Sequence, residues 1–111
     1  MTALKKKSET CEEQLRRMCK NIAEEITEGK ANYLNPKYEG TMEEVYSIEW
    51  ITHQDHSYKA ARLLVAGGGP NIWVNLQTNT VDGYWGCDEV NHGFIDNIGL
   101  NDYLEELHGC K

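Results

Sequence analysis

The chain has 111 residues, of which 40% are hydrophobic, 26% charged and 9% aromatic. That is the size and make-up of one domain around one core, too apolar for wholesale disorder, and no stretch approaches the ~20 apolar residues that cross a bilayer. The formal net charge is -7 at pH 7, and it is unevenly placed: residues 1–62 hold ten basic and eleven acidic side chains, whereas residues 63–110 hold seven acidic side chains and no Lys or Arg. Such a field repels phosphate backbones, which argues against direct nucleic-acid binding by the C-terminal half, and it attracts a basic protein surface. Plain solubility is the simpler use of the same charge.

Met1–Lys7 leads into no signal-peptide hydrophobic region, so a single cytoplasmic domain over 1–111 is expected, with no membrane partner. Lys5-Lys6-Lys7 makes residues 1–8 a frayed basic tail, or else a short arm for an acidic partner. Cys11, Cys19, Cys87 and Cys110 would permit two disulfides, but in a reducing cytosol they read as free thiols.

Thr10 and Glu13 form a Thr-x-x-Glu capping box, with Ser8 as an alternative cap. Behind it Cys11, Leu15, Met18, Ile22 and Ile26 follow helical spacing, widened by Cys19 and Ala23, and Gly29 supplies the stop. Residues 30–42 are a connection punctuated by Asn35-Pro36 and Gly40, pinned to the core by Tyr33, Leu34 and Tyr38. From Glu44 the period becomes two, and Tyr46, Ile48 and Trp50 share one face of a strand. After the turn His53–Ser57, Tyr58–Ala66 reads as a second, central strand, for which a helix is the weaker alternative.

Ile72, Val74 and Leu76 alternate with Trp73, Asn75 and Gln77 in a third strand, and a short connection at Thr78–Thr80 leads to a fourth, Val81–Trp85. Gly83 and Gly86 suggest a bulge, or a place where another chain comes close. Cys87–Gly99 reads as irregular. A short helix follows, capped by Asn101 or Asp102, with Leu100, Tyr103, Leu104 and Leu107 inward and His108 favourably placed at its C-terminus. The order predicts an α+β fold: a long helix packed on a roughly four-stranded antiparallel meander, then a short helix.

Chemistry-bearing patterns are few. Gly67-Gly68-Gly69-Pro70-Asn71 lacks the Lys-Ser/Thr and following helix of a phosphate loop, and reads as a turn between strands. His53, His56, Cys87 and His92, with Asp55, Asp88 and Glu89 nearby, could assemble a zinc site, although their spacing matches no established zinc signature. This metal-binding or metal-dependent enzyme is the alternative reading. Otherwise no cofactor is expected. No serine sits in a nucleophile elbow, and beside Cys87 the carboxylates of Asp88 and Glu89 would hold a thiol protonated. A non-enzyme is the favoured reading.

Trp73 and Tyr84 are predicted on the sheet face away from the helix, near Asp82, Trp85, Asp88 and Glu89. Aromatics flanked by carboxylates have the composition of a binding hot spot; a cross-strand Trp73–Tyr84 pair is the structural alternative. The runs Gly68–Val74 and Gly83-Tyr84-Trp85-Gly86 match no family motif. In size, charge and lack of catalytic motifs the chain resembles small acidic inhibitors encoded by phages and mobile elements, including anti-CRISPR and anti-restriction proteins. That resemblance implies a protein that blocks a host nuclease or other nucleic-acid-processing complex by occupying its basic surface; it carries over no site residues.

Overall fold

The computed structural model describes residues 10–30, 34 and 45–109. The basic tail, the Ser8 cap, Tyr33, Asn35-Pro36, Tyr38, Gly40 and Cys110 lie outside the described residues.

Helix α1 spans Cys11–Thr27 and begins as its capping box predicts. Thr10 Oγ1 accepts from the Glu13 amide at 3.1 Å, and Glu13 Oε1 accepts from the Thr10 amide at 2.9 Å. Its far end closes on Gly29, at φ 77°. There the Lys30 amide donates to Glu25 O (2.7 Å) and the Gly29 amide to Ile26 O (3.1 Å), which satisfies carbonyls the helix would leave orphaned. The buried seam is Leu15, Cys19, Ala23 and Ile26; Met18 and Ile22 are half-buried, and Cys11 is exposed. The seam thus runs through the small residues rather than along the bulkier row, because the helix lies close against a strand.

Five strands, not four, form one antiparallel sheet in sequence order: β1 (Ser47–Thr52), β2 (Tyr58–Ala66), β3 (Asn71–Asn75), β4 (Thr80–Trp85) and β5 (Asp88–Gly93). The Gly67–Pro70 segment joins two of these strands, as its lack of a following helix requires. Strand β5 escaped a pattern search because it is an edge strand in which only Val90 is fully buried, so no apolar alternation marks it. What creates it is the two-residue turn Gly86-Cys87, where Gly86 takes the positive φ (62°) that such hairpins need at their first central position.

Helix α2 spans Leu100–Gly109. Its cap is neither Asn101 nor Asp102 but Asp96, whose two carboxylate oxygens accept from the Leu100 and Asn101 amides at 2.9 Å each. Asn101 Oδ1 instead accepts from the Tyr58 hydroxyl at 2.8 Å. That contact depends on a bulge in β2: Ile51 faces Ala60 but Thr52 faces Tyr58, so Lys59 is the extra residue and Tyr58 turns to the side of Trp50. Trp50, Tyr58 and His108 then cluster, with ring centroids 5.3–6.2 Å apart.

Both helices lie on one face of the sheet, α1 against β4 and β5 and α2 against β2. Between them and the sheet the core gathers Leu63, Ile72, Val74, Val81, Leu100 and Leu104, with Leu34 packed in fully buried. No helix among the described residues is long and apolar enough to cross a membrane.

Gly83 sets the distance between layers. A Cβ added there would stand 2.5 Å from Cys19 Sγ and 2.8 Å from Leu15 Cδ1, so α1 rests on bare β4 backbone. The close approach at this glycine is made by the chain's own helix and not by another chain. Gly83→Ala should therefore lower the unfolding free energy in urea by about 1–3 kcal/mol, and Cys19→Ala in the same chain should return part of the loss. A second expectation concerns alkaline pH. Burial, with Asp82 adding and Arg16 opposing, pushes the Cys19 thiol from its ordinary 9.0 up to about 11. The unfolded thiol loses its proton first, so stability should fall as pH rises from about 9 towards 11, by on the order of 2 kcal/mol. Tyr58, pushed up to about 12 mainly by burial, extends the decline. Denaturation midpoints of Cys19→Ala should be flatter across pH 9–11 than those of the parent.

Candidate interaction face

The sheet face turned away from both helices is laid out in rows by the strand register. One row runs Ser47, Leu64, Trp73, Asp82, Asn91; the next runs Glu49, Arg62, Asn75, Thr80, Gly93; a third carries Asn71, Tyr84 and Glu89. Period-two alternation forces this set outward once Val74, Val81 and Gly83 face α1.

Asp82 organises the centre. It is 6% exposed, and among the described residues its hydrogen bonds come from neutral donors. Thr80 Oγ1 (2.7 Å) and Asn91 Nδ2 (2.8 Å) donate to Oδ1, and Asn75 Nδ2 donates to Oδ2 at 3.2 Å. Asn75 Oδ1 in turn accepts from the Gln77 and Thr78 amides, which ties the β3–β4 turn to the same network. A carboxylate in a strand interior is tolerated because its neighbours across both ladders satisfy it. Asp82 is thus a structural group of this face rather than an accessible charge.

Trp73 stands beside it and is half-buried. It does not pair with Tyr84: the register sets Trp73 opposite Asp82 and Leu64, and Tyr84 opposite Asn71 and Glu89. The Trp73 ring is instead covered by the Arg62 guanidinium, 4.3 Å from its centroid. Arg62 Nη1 donates to Glu49 Oε1 at 2.7 Å, so Glu49, Arg62 and Trp73 are held in sequence across β1, β2 and β3. Burial, reinforced by the charges of Asp82 and Glu89 and opposed by Arg62, raises the Tyr84 hydroxyl above its ordinary range.

The six residues singled out from sequence therefore separate. Trp73, Asp82, Tyr84 and Glu89 share this face, whereas Trp85 and Asp88 face each other on the helix side, where Trp85 packs against the core. The face is also not uniformly acidic, because Arg62 sits within it. Arg62, Glu49, Asn75, Thr80 and Asn91 were not anticipated as part of the site. Alternation already sets Asn75 on the side of Trp73 and Thr80 on the side of Asp82; only the register, which hydrophobic periodicity does not reveal, brings Arg62, Glu49 and Asn91 to them.

The histidine and cysteine candidates for zinc are scattered by the strand order. His53 and His56 occupy the exposed β1–β2 turn at one end of the sheet, and Cys87 lies in the β4–β5 turn at the other. His92 is on β5, at the edge opposite β1, and lines a shallow cleft of about 240 Å³ with Ala23, Glu24, Thr27, Glu28 and Gly93. Among the described residues no three His, Cys, Asp or Glu side chains come together in a way that could hold a metal ion.

No protein-family model matches the sequence, and neither a curated protein nor a solved structure matches the chain. The reading of the face thus rests on its own chemistry. If Asp82 organises it, Asp82→Ala, which strands the Thr80, Asn75 and Asn91 donors, should cost about 1–3 kcal/mol in denaturant unfolding. Leu64→Ala in the same row, which strands no donor, should leave the Asn75 and Asn91 side-chain NH2 resonances in place, whereas Asp82→Ala should shift both.

Proposed function

We propose that this chain is a non-enzymatic protein-binding domain that presents its helix-free sheet face to a basic surface on a nucleic-acid-processing protein, and that it acts as an inhibitor by occupying that surface. This reading places it in the cytoplasm, among the anti-CRISPR-like and anti-restriction-like proteins of phages and mobile elements. The observation that carries it is Trp73, an aromatic clamped by Arg62 and Glu49 on the side of the sheet that both helices leave uncovered. Held in place before any partner arrives, its ring loses little further freedom on binding, which is what makes an aromatic an effective anchor.

Charge supplies the second component. Of the carboxylates after Arg62, exposed Glu89 shares this face, while half-exposed Asp88 and exposed Asp102, Glu105 and Glu106 lie on the helix side and add to the long-range negative field. Exposed pairs add only about 0–1 kcal/mol each, so these groups act chiefly by steering a cationic partner.

The test begins with capture of a partner from native host lysate on the immobilised protein. Trp73→Ala should then speed dissociation by about tenfold or more, the loss expected of a central anchor. Asp88→Lys with Glu89→Lys should slow association and flatten its dependence on salt. Duplex DNA should compete with the protein for the partner. A partner that binds DNA and this protein together, or that holds the Trp73→Ala variant as long as the parent, overturns the proposal.

A further inference from the structure

The sheet has an open edge at β5. Phe94 donates to Asn79 O at 2.9 Å, and the register runs unbroken from Trp85 and Asp88 to Thr80 and Gly93. Bonded and non-bonded pairs alternate from that point, which turns the amides and carbonyls of Glu89 and Asn91 away from β4. Among the described residues nothing meets these backbone groups, and both residues are exposed. Further along the edge, the Gly93 carbonyl is engaged by His92 Nδ1 at 3.2 Å. No Pro, Lys or bulge interrupts the strand. Its one defence against further pairing is charge of a single sign, from Asp88 and Glu89, neither of which has an ion pair among the described residues.

Both flanks of this edge suit a cationic strand. On the helix side, the cleft between β5 and α1 offers Ala23 and Thr27 as an apolar lining and exposed Glu24 and Glu28 at its rim. The lysines that face these carboxylates, Lys20 at 4.0 Å and Lys30 at 3.4 Å, form only exposed pairs, which another cation can share. On the other side, Glu89 stands beside Tyr84. A strand laid along β5 alternates its side chains between these flanks, so a basic residue on the helix side lays its aliphatic stem against Ala23 and carries its charge to Glu24 and Glu28.

We propose that β5 is a docking edge for an extended, lysine- or arginine-bearing segment of another protein, which adds to the sheet as a sixth strand. Main-chain bonds to Glu89 and Asn91 supply the pairing, and the carboxylates select the charge. The same carboxylates turn away a second copy of this chain, which brings another -7. The edge does not use Trp73, so it binds whether or not the sheet face does.

Titration of the 15N-labelled full chain with an end-blocked peptide of four Thr-Lys repeats tests this, with four Thr-Glu repeats as the control. Amide hydrogen exchange at Glu89 and Asn91 should slow about tenfold when the basic peptide is at ten times its dissociation constant, and the acidic peptide should have no effect. Binding should weaken as salt rises. Asp88→Asn with Glu89→Gln should raise the dissociation constant about threefold to tenfold, and Trp73→Ala should leave it unchanged. Glu89→Pro, which removes an outward amide that the sheet does not use, should abolish pairing. Unchanged exchange at Glu89 and Asn91, or slowing by both peptides alike, overturns the proposal. So does slowing with protein concentration alone, which assigns the edge to a second copy. Shifts confined to Trp73 and Tyr84 also overturn it, and support binding at the sheet face instead.

Discussion

The contact of α1 with the bare backbone at Gly83 is the constraint from which the rest of the structure follows. A strand residue with no Cβ lets Cys19 and Leu15 descend onto β4, and a helix that close must present small side chains. This is why the buried seam passes through Cys19 and Ala23 while Met18 and Ile22 move to its flank. With α1 committed to β4 and β5, the apolar groups of β1 and β2 need a second cover. α2 supplies it, anchored by the Tyr58–Asn101 hydrogen bond and the ring contacts of His108. The β2 bulge serves the same end, since without its extra residue Tyr58 would point to the opposite face.

The same packing decides the character of the other face. Strand alternation sends outward whatever lies between the core positions, and here that includes an aspartate in the middle of β4. Low local dielectric makes such a carboxylate costly unless it is fully hydrogen-bonded, and strengthens each bond that satisfies it. Asp82 meets that condition through side chains on β3, β4 and β5 at once, so it also locks three strands in register. The surface next to it is correspondingly rigid: Trp73 lies under Arg62, and Arg62 is held by Glu49. A polar network and a stacked cation thus do on this face what apolar packing does on the other.

Placement of charge separates the two surfaces of interest. The carboxylates that dominate the C-terminal half do not all remain available to a partner: Asp82 is consumed by its network and Asp96 by the cap of α2. Those left exposed lie on α2, on the helix side of the sheet, and around the β4–β5 hairpin.

Local features were legible in the sequence alone. The Thr10–Glu13 box, the stop at Gly29, the alternation of Ile72, Val74 and Leu76, and the short connections between strands determined a helix, an antiparallel meander and a final helix, because each depends on residues a few positions apart. The outward orientation of Trp73 and Tyr84 followed from the same alternation. Tertiary structure decided what depends on register and on contacts distant in sequence. It turned a polar, non-alternating segment into β5 through one turn, and in place of the alternative Trp73–Tyr84 pair it set Arg62 over Trp73. It set Asp88 opposite Trp85 on the helix side, dispersed His53, His56, Cys87 and His92, and buried Asp82. Periodicity specifies which face a side chain takes; only the pairing of strands specifies its neighbours, and neighbours set charge, burial and hydrogen bonding.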